Sequence, residues 1–273
     1  MRSPMEPRKS LTSCTHHERP NRALIHLTSC YVRVFGSKEV LNLWPALSQS
    51  PIIKHFGWSS LIYATYEANR HFFEHKSPKT TLEYTGEITS FPFPPIDGLL
   101  ALHIRRGDFA GHCDELGKWS SDWNGFNQFD ELPDKFKVPE GGGWGENTPE
   151  NIAIYRKHCY PTISQIVEKV SNVRKKVKGL KRIYIMTNGK MEWVNELILA
   201  LRTAEKWEAI SSTGDLSLTR EQKYVSQALD MYVAQRAEAF IGNGVSVLGD
   251  SAQILSTDRA VVRYLLLMVA SWD

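Results

Sequence analysis

The chain has 273 residues, 42% of them hydrophobic and 11% aromatic, enough to fill the core of one large α/β domain or two smaller ones. Its 33 basic and 30 acidic residues leave a net charge of only +3, and the excess is local, at Arg174, Lys175, Lys176, Lys178, Lys181 and Arg182. A nucleic-acid partner held by counterion release is therefore disfavoured, and a solvated helix end accounts for the cluster. No run approaches the roughly 20 apolar residues of a membrane span, and Met1 to Pro20 is polar without an apolar signal core.

Residues 1–34 show no sustained period and read as a poorly specified leader. Residues 35–95 are expected to hold short amphipathic helices between Ser37 and Phe73, broken at Ser50-Pro51 and Gly57-Trp58, followed by a linker carrying Pro92, Pro94 and Pro95. A boundary is placed near Pro95. Leu99-Leu100-Ala101-Leu102-His103-Ile104 is then a nearly continuous apolar run that stops at Arg105-Arg106-Gly107-Asp108, as a buried parallel strand does when it delivers charged groups at its carboxyl end.

Residues 110–149 carry clustered Gly, Trp, Asp and Pro, including Gly141 to Gly145, and read as a long irregular loop, a lid over the site or a surface insertion. Thr148-Pro149-Glu150 predicts a capped helix running to about Val177. Lys181 to Asn188 reads as a second buried strand, Met191 to Leu201 as a helix, and Leu218 to Arg236 as a helix capped by Thr219 with Gln222. Ala237 to Asn243 is a third strand, and a further helix is expected from Ser246. Alternating strands and helices imply a Rossmann-like parallel sheet over residues 96–273, with ligands outside the carboxyl ends of its strands.

Two adjacent arginines at such an end require an anion or water. Arginine's fork matches phosphate, so Arg105 or Arg106 can hold a diphosphate; alternatively Arg105 pairs with Asp108 while Arg106 faces solvent. Gly242-Asn243-Gly244-Val245-Ser246 closes a strand and opens a helix, a place for an anion or simply a serine-capped turn, and it lacks the third glycine of the dinucleotide fingerprint. Arg-Gly-Asp as an adhesion tripeptide has little support where it follows a buried strand. Asp230 is a carboxylate that either receives a guanine edge or is merely exposed. Cys113 and Cys159 bracket the long irregular stretch, and three readings stand: a disulfide, two free thiols, or a zinc site with His112 and His158. The last is the weakest, because adjacent His-Cys pairs lack ligand spacing.

His103-Ile104-Arg105-Arg106-Gly107-Asp108-Phe109, together with Asp230 to Gln235 running into Phe240 to Ser246, resembles the GDP-fucose-dependent protein O-fucosyltransferase-like proteins, whose superfamily includes the α1,6-fucosyltransferases. The resemblance implies the nucleotide-sugar lobe of a two-lobed GT-B enzyme and an inverting transfer of fucose from GDP-fucose to a protein or glycan hydroxyl. By the same match no metal or cofactor is required, and no Asp-x-Asp motif occurs. Arg105 is then the arginine on the β-phosphate that assists departure of GDP. His103 and Asp108 line the same pocket, Ser246 with Val247 matches the phosphate-contacting turn, Asp230 matches a carboxylate near the guanine, and Arg106 and Asn243 are placed with them as substrate-binding residues.

The resemblance also implies the lumen of the endoplasmic reticulum or Golgi, with the helices of residues 35–95 as a remnant of the acceptor-side lobe. That lobe's opening strand and glycine-rich turn ending in Asn are not found before residue 96, and the base it would supply is not identified. A non-catalytic GDP-sugar-binding or interaction module is the alternative. A dinucleotide oxidoreductase is disfavoured by the missing glycine.

Overall fold

The computed structural model describes residues 38–75, 93–107, 109–122 and 136–243. Three short helices come first: α1 (Trp44–Ser48), α2 (Pro51–Lys54) and α3 (Ser60–Asn69). Both α1 and α2 carry proline in the first turn, where its missing amide is no loss. There follow β1 (Ile96–His103), α4 (Phe109–Lys118), a small hairpin of β2 (Gly142–Gly143) and β3 (Glu146–Asn147), α5 (Pro149–Cys159) and α6 (Ile163–Lys176). The second half adds β4 (Arg182–Met186), α7 (Met191–Ala204), β5 (Ala209–Ser212), α8 (Arg220–Tyr224), α9 (Ser226–Arg236) and β6 (Ala237–Gly242).

Among the described residues β5, β4, β1 and β6 form a four-stranded sheet in that order, every neighbouring pair parallel. The α/β class expected from the alternation is the observed one. Because side chains alternate across a strand, the apolar run of β1 supplies two cores at once. Leu100 and Leu102 join Ile183, Ile185, Ile166, Val170 and Leu197 under α6 and α7. Leu99 and Ala101 join Tyr184, Met186, Leu229 and Val233 under α9. The second core also takes in Ile62, Tyr66, Phe73 and Phe93, so packing runs without a break past the position near Pro95 where composition suggests a boundary.

Four elements differ from expectation. The helix predicted from Thr148 to Val177 is two helices, because Pro161 offers no amide and pushes Tyr160 out of the helical region, after which Thr162 and Gln165 make a fresh capping box. The helix over 218–236 is likewise broken at Val225, though the Thr219–Gln222 box stands as expected. The edge strand β5 was not expected; its Ala-Ile-Ser-Ser stretch has little apolar signal, and pairing with β4 is what makes it a strand. Residues 110–149 are not uniformly irregular. Their described part holds α4 and the hairpin, and a Cys113–Cys159 disulfide, with Cα atoms 5.8 Å apart, fastens α4 to α5. The helix expected from Ser246 lies outside the described residues.

Candidate functional site

From β1 the chain steps outward to β4 and β5 on one side, then returns to β6 on the other side of β1. The sheet therefore reverses between β1 and β6, where open α/β sheets leave a crevice beyond their strand ends. His103 faces Gly242 across that point. The described parts of the two predicted motifs, His103 to Gly107 and Gly242 to Asn243, thus meet at the switch.

The two arginines divide sharply. Arg105 is exposed, its guanidinium 5.0 Å from the Phe109 ring centre. Arg106 is only 6% exposed, with its guanidinium between the Tyr160 and Trp193 rings at 4.2 Å from each, and it donates to the Pro161 carbonyl. Burial works against that charge and lowers its pKa; two ring faces and a carbonyl offset the loss of water. The alternative that sent Arg106 to solvent is therefore corrected: the residue was placed among the ligand groups too, but its side chain is engaged with the protein itself. His103 is buried, and burial together with the Arg105 charge holds its pKa at about 4, so its imidazole is neutral near pH 7.

Asn243, expected to contact ligand, is buried and spends its side chain on backbone. Its Oδ1 accepts from the Arg105 amide at 3.2 Å and its Nδ2 donates to the Cys159 carbonyl at 2.9 Å. From the opposite neighbour, Asn188 Oδ1 accepts the Arg106 amide at 2.7 Å, and Thr187 Oγ1 donates to the Ile104 carbonyl at 2.6 Å. Gly107 turns with φ +63°, and a Cβ there would sit 3.0 Å from Asn188 Nδ2. The turn carrying Arg105 is thus gripped from β4 and from β6 at once. Thr187 and Asn188 were recognisable only as a polar strand end, and nothing local distinguishes a clamp from a cap.

Asp230 is buried rather than exposed. It accepts from the Tyr184 hydroxyl at 2.7 Å, and Thr213 Oγ1 lies 3.3 Å from its other oxygen. Asp108, Ser246 and Val247 lie outside the described residues. The zinc reading of the His-Cys pairs is overturned by the disulfide, which joins the two sulfurs to each other.

Burial raises the Asp230 carboxyl to about 7 from its usual 3.8. Folded chains hold that proton where unfolded chains have released it, so the contribution to stability is present at low pH and is lost as pH rises through about 7. His103 acts oppositely: folded at about 4 against 6.5, it contributes above 6.5 and the contribution is lost as pH falls toward 4. Asp230→Asn removes the first effect and leaves the second. Urea unfolding across pH 4 to 8 should show the variant's stability climbing toward neutral pH, by on the order of 4 kcal/mol relative to wild type, which stays flatter. Parallel profiles for the two proteins would contradict this.

A parallel sheet covered by helices on both faces, with its strand order reversing between β1 and β6, is a doubly wound α/β unit, the kind in which ligands bind beyond the strand ends at the switch point. The family model of GDP-fucose protein O-fucosyltransferase matches residues 64–261, and this chain belongs to that family. Among solved structures it is similar to POFUT1 in complex with GDP-fucose, at 18% identity and TM-score 0.45, covering 75% of this chain and 44% of that one. POFUT1 in complex with GDP gives 18% identity and TM-score 0.42, covering 73% and 44%. This chain therefore spans less than half the length of those POFUT1 chains. No curated protein sequence matches it.

Proposed function

We propose that this chain binds the GDP part of GDP-fucose in the crevice between the carboxyl ends of β1 and β6 and serves fucosyl transfer to a protein or glycan hydroxyl. The observation that carries the reading is the division of the arginine pair: Arg106 is rooted in the protein, while Arg105 stands exposed at the switch point on a turn held from both sides. Arg105 contacts the β-phosphate and stabilises the charge that develops on GDP as the sugar–phosphate bond breaks and the acceptor oxygen bonds from the opposite face. Neutral His103 lines the pocket without adding charge. Asp230, expected near the guanine, is buried with both carboxylate oxygens taken by Tyr184 and Thr213, and in this reading it ties α9 to β4 rather than contacting the base. By the family match Asp108 belongs with His103 in the pocket lining and Ser246 with Val247 supplies the phosphate turn, and no metal is required.

Calorimetric titration with GDP, GDP-fucose and NAD tests the site, and release of GDP with candidate acceptors tests transfer. GDP and GDP-fucose are expected to bind and NAD not to; the reverse preference would point to a dinucleotide enzyme. Binding is expected to exceed transfer by this chain alone. Transfer also needs an acceptor and a base held in near-attack geometry, whose loss removes orders of magnitude in rate while donor binding survives. If residues before 96 supply such a base, Glu67, Glu74 and Glu83 are the residues that could serve. Glu83 lies outside the described residues, and Glu74 accepts from the Tyr66 hydroxyl and from Arg70 Nε, the latter at 2.7 Å. Multiple turnovers at an ordinary enzymatic rate would show a complete catalytic site in this chain.

A further inference from the structure

We infer that Asn188 is a positioning residue: it fixes the direction of Arg105, and through it the recognition of the second phosphate of a nucleoside diphosphate. The inference rests on the proposed role of Arg105.

The physical argument starts from the turn itself. After His103 the chain leaves the sheet, so the amides of Arg105 and Arg106 have no strand neighbour to accept them and need other partners. Each receives an asparagine oxygen, at 3.2 Å from Asn243 and 2.7 Å from Asn188. Asn243 also binds the Cys159 carbonyl, so its loss would disturb α5 as well. Asn188 acts more narrowly. It holds the amide of the residue that follows Arg105, and its Nδ2 lies where a Cβ on Gly107 would come within 3.0 Å. The neighbouring Thr187 fixes the Ile104 carbonyl, and Gly189 leaves room for the Arg106 chain, since a Cβ there would lie 3.3 Å from Arg106 Cγ. The residue before Arg105 and the residue after it are thereby held. With Arg106 sandwiched between two rings and the Arg105 guanidinium 5.0 Å from the Phe109 ring centre, the direction in which Arg105 leaves the turn depends on how the backbone beneath it is held. A bidentate guanidinium contact with phosphate depends steeply on that direction.

Asn188 has no reason to influence a nucleotide's base, ribose or first phosphate, so its removal must discriminate between ligands that differ by one phosphate. Calorimetry with GDP and GMP on wild type, Asn188→Ala, Arg105→Ala and the double variant tests this, with thermal midpoints recorded alongside. Asn188→Ala should weaken GDP about fivefold or more and leave GMP within about twofold. In the Arg105→Ala background the same substitution should change GDP affinity little, because the two residues act in series. Gly107→Ala, which presses on the same contact from the other side while keeping the asparagine, is held to the same criteria should Asn188→Ala fold poorly. Equal weakening of GDP and GMP, or a GDP effect that persists without Arg105, would overturn the inference and leave the nucleotide site standing. A wild type that does not prefer GDP over GMP would remove the Arg105 reading and this one together.

Discussion

Removing the Cys113–Cys159 crosslink is expected to lower the stability of the folded chain by about 4 kcal/mol on the chain-entropy model, the largest effect we anticipate from any small change. The bridge closes a loop across a sequence separation of 46 residues, and without it the unfolded chain regains the freedom that closure denied it. Urea unfolding of the Cys113→Ala/Cys159→Ala variant, or of the reduced protein, measures the difference. The consequence should extend to the crevice, because the Cys159 carbonyl accepts from Asn243, which in turn holds the Arg105 amide. A variant as stable as wild type would mean that the contacts of Phe109, Tyr155 and Phe136 already hold α4 against α5.

The second large effect concerns Arg105. Arg105→Ala should reduce GDP affinity by about ten- to a hundredfold, the value of one charge-assisted contact to phosphate, while the unfolding midpoint stays within experimental error. Exposure is the reason the fold is spared. Arg106→Ala should do the opposite: it empties the space between Tyr160 and Trp193 and leaves the Pro161 carbonyl without its donor. A stability loss of roughly 3 kcal/mol is expected there, with any loss of GDP affinity following from the loosened turn. Raised salt should weaken GDP binding to wild type more than to Arg105→Ala. Equal GDP affinity for wild type and Arg105→Ala would sink the phosphate assignment.

The pair of arginines also shows where reading a sequence stops. Their position at the end of an apolar run marks a strand terminus facing a ligand or water, but their neighbours along the chain do not say which of the two turns inward. That is decided by Tyr160, 54 residues later, and Trp193, 87 later, which arrive from other elements to receive Arg106. The same holds for Asp230. A lone carboxylate on a helix is most often exposed, and only the packing of α9 against β4 buries it under Tyr184.

Local pattern was sufficient for β1, β4 and β6, for the capping of α5 by Thr148 and of α8 by Thr219, and for the parallel α/β class, because each depends on residues within a few positions of one another. The His-Ile-Arg-Arg motif together with Asp230 to Gln235 and Phe240 to Ser246 was likewise enough to indicate the family. Tertiary structure alone decided the strand status of Ala209–Ser212, the choice of a disulfide over two thiols, the inward turn of Arg106, and the use of Asn188 and Asn243 as clamps on the arginine turn. Each of these is a contact between groups far apart in sequence, whose energy exists only once the chain has brought them together.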